Sequence, residues 1–300
     1  MRTQHRYVVH GKNNKLLKTL ERLSVKCKIL DKYIGDTTHI YALEFSLYED
    51  NPQFSMQKEE IDKFGLDAQI GSIFDVDDYT RANWFWVSAG EYQYPQPEDD
   101  FGYQKRSFNL DNYCEVCGIG KNQNAPIRLR TLPKQEKNDF WGIHWEHEII
   151  FVRQRAKRIL EDAGVRGISF SHPVLHRNDN HIGDLFQLNI HTVLKRGFND
   201  YNTRVLTCDR INFENSYRVL SEDTIYCGRE KFHFPRIGGL TFDETIFNES
   251  SDIVKTNEYF GSGASAFQLP IFSKKLKTIL DKEKIRGIYF EPIFHQKQST

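Results

Sequence analysis

Cys114-Glu-Val-Cys117-Gly118 is the feature of this chain with the clearest chemistry. A gap of two residues lets two thiolates converge on one tetrahedral metal ion, and the glycine behind them permits the tight turn. One such pair is half a site. Thr224-Ile-Tyr-Cys227-Gly228 ends in the same way but has threonine where the first ligand should stand. A full set therefore needs Cys114, Cys117, Cys227 and a substitute, Cys208 or His233, with Cys208 the expected fourth ligand of a structural zinc ion. The competing account is that these cysteines are small buried apolar residues. A thioredoxin-type redox pair is disfavoured, because residues 108–113 are too polar to form the buried strand that should precede one.

Other constellations are weaker. His144 and His147 offer an alternative ligand pair. His147-Glu148-Ile-Ile-Phe151 opens like a zinc-protease helix but has phenylalanine where the second histidine must stand. His172, His176, His181 and Asp184 lie close in sequence and could ligate a metal or act as acid and base, which keeps a metal-dependent hydrolase as one alternative. Gly261-Ser-Gly-Ala-Ser265 lacks the Gly-x-Ser-x-Gly order of a nucleophile elbow, and Gly11-Lys-Asn-Asn-Lys15 lacks the second glycine of a phosphate loop. Asp75, Asp77 and Asp78 lack the glycine and distal glutamate of a calcium loop. Arg128, Arg130 and Lys134, with Arg153, Arg155, Lys157 and Arg158 further on, would suit phosphate contacts beside a zinc ribbon. That makes a nucleic-acid binder the second alternative, although Glu146, Glu148, Glu161 and Asp162 offset much of the charge.

The elements that must position these residues read as an α+β fold. Tyr7 to Val9 form an apolar burst, Leu16, Leu17, Leu20 and Leu23 recur at helical spacing, and Val25, Cys27 and Ile29 alternate as a strand. A helix is expected over 55–64 and a strand at Trp84 to Trp86. Pro95, Pro97, Glu98, Asp99 and Asp100 break any regular ladder, which places a boundary between an α/β domain at 1–98 and a larger mixed domain at 99–300. Beyond it, a helical face runs from Val152 to Ala163, with strands at 165–170, 186–190 and 204–208.

The larger domain repeats itself. Ile159-Leu-Glu-Asp-Ala-Gly-Val-Arg-Gly-Ile-Ser-Phe170 matches Ile279-Leu-Asp-Lys-Glu-Lys-Ile-Arg-Gly-Ile-Tyr-Phe290 at six positions. Pro173 and His176 have counterparts in Pro292 and His295 after a one-residue gap. A Cys-Gly pair precedes each copy, and an aromatic-Gly pair follows it, at Trp141-Gly142 and Phe260-Gly261. Two related half-units, near 111–176 and 224–295, are expected.

Lys plus Arg and Asp plus Glu number 41 each, so no overall field draws the chain to nucleic acid or an anionic membrane. No segment approaches the roughly 20 apolar residues of a membrane span, and the first residues lack the apolar stretch of a secretion signal. Five cysteines, three of them isolated in sequence, point to free thiols in a reducing cytoplasm.

With the knuckle and half-units in hand, residues 111–295 resemble the double-CxxCG proteins known mainly from myxobacteria, some of which are regarded as immunity proteins. Cys114, Cys117 and Gly118, then Cys227 and Gly228, and the closing Ile285-Arg-Gly-Ile-Tyr-Phe-Glu-Pro292 carry the resemblance. It implies a non-enzymatic cytoplasmic protein that neutralises a cognate toxin by direct binding. Thr224 and residues 1–100 depart from the pattern.

Overall fold

The computed structural model describes residues 1–34, 38–132, 137–199, 201, 203–213, 223–234, 237–247 and 250–296. Its secondary structure is mixed α+β, as expected. No helix among the described residues is long and apolar enough to cross a membrane. The chain divides into two units, residues 1–81 with 235–239, and residues 82–234 with 240–300.

The first unit follows from alternation and helical spacing. β1 (Arg2–His10), β2 (Cys27–Ile34), β3 (Thr38–Tyr48) and β4 (Gln69–Ile73) form an antiparallel sheet in the order β2-β3-β1-β4. Tyr7, Leu43, Phe45 and Leu47 face inward. Asn13 caps α1 (Asn14–Arg22) by accepting a hydrogen bond from the Leu16 N–H, and the helix lays Leu16 and Leu20 on that sheet. α2 (Phe54–Asp62) adds Ile61, and α3 (Val76–Arg81) closes the unit.

The boundary expected at Tyr94 to Gly102 lies earlier, between Arg81 and Ala82. The physical reason is β5 (Trp84–Ala89), which is the central strand of a sheet in the second unit. The proline-rich stretch is part of that unit too: the Gln96 N–H donates to the Arg128 carbonyl and the Tyr103 N–H to that of Pro97.

After α4 (Tyr103–Ser107) come β6 (Phe108–Asn109), β7 (Asn122–Gln123), β8 (Arg128–Leu129), β9 (Phe140–Gly142), β10 (Ile150–Arg153), α5 (Gln154–Asp162), β11 (Ile168–Ser171), β12 (Val174–Leu175) and β13 (Leu185–Ile190). Then follow β14 (Val205–Thr207), α6 (Arg210–Phe213), β15 (Glu230–Phe232), β16 (Leu240–Asp243), β17 (Ile253–Lys255), β18 (Pro270–Ser273), α7 (Lys274–Lys282) and β19 (Ile288–Gln296). The two larger sheets are β11-β13-β10-β9 and β16-β19-β5-β18-β17, and β8-β12, β6-β7 and β14-β15 pair as two-stranded sheets.

The strand-helix-strand pattern of residues 150–171 recurs at residues 270–291. β10-α5-β11 and β18-α7-β19 are the same lengths up to the last strand and lie at a constant offset in sequence. Each passes a central strand in the same register: Val152 opposes Phe186 as Phe272 opposes Phe85, and Phe170 opposes Leu188 as Phe290 opposes Val87. That central strand is permuted. The first half-unit uses β13, which follows it, whereas the second uses β5, which precedes both. Parallel pairing extends the match, since β12 runs with β8 as β19 runs with β16.

One element of the expected repeat is corrected. Strand pairing sets Trp141-Gly142 against Val254-Lys255, because β9 flanks β10 as β17 flanks β18. Phe260-Gly261 has a different place, with Phe260 bridged to Phe232 and Phe267.

The two half-units share a core in which Val152, Ala156 and Leu160 meet Phe272, Leu276 and Leu280. They also clasp each other reciprocally. The Arg286 N–H donates to Asp139 Oδ2 at 3.1 Å, and the Arg166 N–H to Asp252 Oδ2 at 3.1 Å. Next to each arginine stands a glycine with positive φ, Gly287 at +87° and Gly167 at +90°. A Cβ at Gly287 would lie 2.2 Å from the Phe140 carbonyl oxygen, and one at Gly167 would lie 2.7 Å from that of Ile253. The Arg-Gly pair common to both copies is thus the point where each half-unit accepts the backbone of the other.

Candidate metal centre

Two β-hairpins carry the cysteines. Knuckle one, Cys114 to Gly118, joins β6 to β7, in which Phe108 opposes Gln123. The Cys114 N–H donates to the Ile119 carbonyl and the Gly118 N–H to that of Cys114. Between β14 and β15 the same two bonds recur: the Cys208 N–H donates to Arg229 and the Gly228 N–H to Cys208. Gly118 and Gly228 both adopt positive φ, +83° and +69°. Cys208 is therefore the counterpart of Cys114, and the second knuckle is a split one, with residues 209–226 inserted between its two cysteines. Thr224 does not occupy the first ligand position.

The four sulfurs of Cys114, Cys117, Cys208 and Cys227 lie within 4.8 Å of one another. Cys114 Sγ is 3.7 Å from Cys208 Sγ, and Cys117 Sγ is 3.6 Å from Cys227 Sγ. A tetrahedral ion with metal–sulfur bonds of about 2.3 Å needs its sulfurs about 3.8 Å apart. The set thus has the size of a tetrathiolate site. His233 is not part of it; its backbone N–H pairs with the Arg204 carbonyl.

Electrostatics fit the same chemistry. A divalent ion on four thiolates leaves a double negative charge, and two cations stand beside it. Lys231 is fully buried, and its ammonium donates to the carbonyls of Cys117 at 2.8 Å, Gly263 at 2.5 Å and Ser265 at 2.8 Å. Burial holds its pKa down to about 8, against the pull of the nearby cysteines. Arg229 donates from Nε to Cys227 Sγ at 3.3 Å and from Nη2 to the carbonyls of both Asn112 and Ile119. Burial pushes the Cys117 thiol well above its ordinary range and that of Cys208 up to about 11. At Cys227 burial also works against the thiolate, but the Arg229 hydrogen bonds and neighbouring thiols outweigh it and bring the pKa to about 6.

Lys231 has no motif to announce it. Its signal is a charged side chain in a short strand three residues beyond the Cys-Gly pair. The loop from Gly261 to Ser265 acts as its acceptor and as a wall for knuckle one, since a Cβ at Gly118 would lie 2.2 Å from the Ala264 carbonyl oxygen.

The histidines lie elsewhere. His144 and His147 both place Nδ1 on Glu91, at 2.9 and 2.5 Å. There is no helix at His147 to Phe151; β10 begins at Ile150. His172 stacks on His181 with ring centres 4.6 Å apart, while His176 is exposed and Asp184 pairs with Arg153. Of the basic residues, Arg128 pairs with Asp179, Arg155 with Asp139 and Lys157 with Glu161. Lys134 lies outside the described residues.

Compared with models of known protein families and with the sequences of curated proteins, the chain matches none.

Proposed function

We propose that this chain is a non-enzymatic binding protein whose two half-units are clamped by one structural zinc ion on Cys114, Cys117, Cys208 and Cys227. The observation that carries the zinc reading is the four-sulfur cluster of tetrahedral size with Lys231 and Arg229 as counter-charges. Bound there, zinc would cross-link two hairpins far apart in sequence and supply folding free energy rather than catalysis. A reducing compartment such as the cytoplasm suits four free thiols.

The binding reading rests on the resemblance to double-CxxCG immunity proteins, which the split second knuckle strengthens by providing a second cysteine pair. Its partner would be a toxin covered by direct contact. Acidic partners at Arg128, Arg155 and Lys157 weigh against the nucleic-acid alternative.

Purified protein is expected to carry about one zinc ion per chain by elemental analysis. Cys114→Ser and Cys208→Ser should each lower metal content and melting temperature. Full metal content in either variant would refute the ligand set. For the binding reading, co-expression with a toxin encoded beside the gene should restore growth, and unrelieved toxicity counts against it.

A further inference from the structure

Glu148 and Lys255 line one cavity of about 260 Å³ within the second unit, together with Gln187, Asn189, Tyr259, Gln268 and Lys121, whose ammonium is already paired with Glu146. Residues of both half-units contribute, and clefts of this kind are preferred ligand sites. The walls are fixed. Gln187 exchanges two amide hydrogen bonds with Gln123, Asn189 is held by Ser171, and the Gln268 amide donates to the Thr256 carbonyl at 2.7 Å.

Against these committed amides, the two charges have little protein to satisfy them. Glu148 receives a single long hydrogen bond, from the Gln268 N–H at 3.4 Å. Burial holds its carboxyl above the ordinary range, with Lys255 acting in the opposite sense. The Lys255 ammonium makes no hydrogen bond or direct ion pair among the described residues, and the Tyr259 hydroxyl makes no hydrogen bond within that set. Opposite charges thus share a cavity without reaching each other. Both side chains are half-buried, and an occupant that brings complementary charges of its own offsets the water each has lost.

The occupant's chemistry follows from this. An apolar ligand would leave Glu148 and Lys255 unpaired, and a polyphosphate would meet the repelling Glu148 carboxylate, one free lysine and Lys121, which Glu146 already neutralises. We propose that this cavity binds a small zwitterion of the free α-amino-acid class, its ammonium on Glu148 and its carboxylate on Lys255. The ammonium donates to the Glu148 oxygens, and the carboxylate accepts from the Lys255 ammonium and the Tyr259 hydroxyl.

The test uses the full-length protein and the common L-amino acids, each at about 10 mM, in thermal melts. At least one should raise the melting temperature by about 5 °C. Its N-acetyl amide, which lacks both charges, should leave the melt unchanged. Glu148→Gln and Lys255→Met should each abolish the shift while zinc content stays that of the parent. Ligand-free Glu148→Gln should melt no lower than the parent, since it removes a half-buried, poorly partnered carboxyl group. The proposal is overturned if no amino acid shifts the melt, if the N-acetyl amide reproduces the shift, or if either variant retains it. Should Glu148→Gln fail to fold, Lys255→Met decides alone. Zinc content is measured separately, so the outcome is independent of the metal assignment.

Discussion

Glu291 on β19 is a carboxyl group opposite Trp86, on the strand face that it shares with the core residue Ile293. Burial raises its pKa from 4.5 to about 7. In the unfolded chain it ionises near the ordinary value, so between those two pH values folding must take up a proton. Stability is therefore lost as pH rises from about 4.5 to about 7, and the loss is constant above that window. The full shift corresponds to about 3 kcal/mol before solvent screening is allowed for. Glu291→Gln removes the penalty: the variant should melt higher than the parent at about pH 8 and equally at about pH 4. Paired melts across this range check it, and a gain independent of pH would contradict it. At this scale the sequence is uneven. That Cys114, Cys117 and Cys227 come together was legible because thiols are few and the turn glycines at 118 and 228 are distinctive, whereas Cys208, with no glycine behind it, was legible only as one of two substitutes. Lys231 and Glu291 were not, since a polar residue within a strand carries no mark of being withdrawn from water.

Among the elements, the helix-strand repeat was legible because Ile-Leu and Arg-Gly-Ile recur where packing demands them. The permuted central strand was not. Trp84-Phe-Trp-Val and Leu185-Phe-Gln-Leu share little beyond an apolar pattern, and their equivalence shows only in register. The split knuckle was hidden for a different reason, since an inserted stretch at 209–226 destroys the spacing while leaving the backbone hydrogen bonds intact. The repeated Arg-Gly makes a prediction at this level. Gly164 and Gly287 both have positive φ, +61° and +87°, but a Cβ at Gly164 meets nothing within 4 Å, whereas one at Gly287 meets the Phe140 carbonyl oxygen. Gly164→Ala should cost about 1 kcal/mol from backbone strain alone. Gly287→Ala adds a backbone clash across the half-unit interface and should cost on the order of 3 kcal/mol or more. Urea denaturation separates the two, and equal costs would show that the reciprocal clasp is loose.

For the whole molecule, the question is how far the influence of the proposed zinc ion would extend. All four cysteines, Lys231 and Arg229 belong to the unit of residues 82–234 and 240–300, while the first unit has its own core around Tyr7, Leu16, Leu43 and Phe45. The zinc binding free energy of a tetrathiolate site is about 10 kcal/mol or more, comparable with the whole stability of an ordinary domain. Removing the ion should therefore destabilise most of the second unit and not merely fray its hairpins. The cysteine cluster also packs with Phe213 and Ala266, so its loss opens apolar contacts as well as the cross-link. After treatment with a strong zinc chelator under reducing conditions, hydrogen exchange should accelerate by orders of magnitude in β6, β7, β14 and β15. It should rise to a lesser degree in β10 and β18, which lie in the core shared by the half-units. Amides of β1 and β3 should keep their protection, because no ligand or counter-charge comes from that unit. Exchange that accelerates equally in β1 and β14 would mean that the two units unfold as one, and exchange unchanged in β14 and β15 would remove zinc from its architectural role.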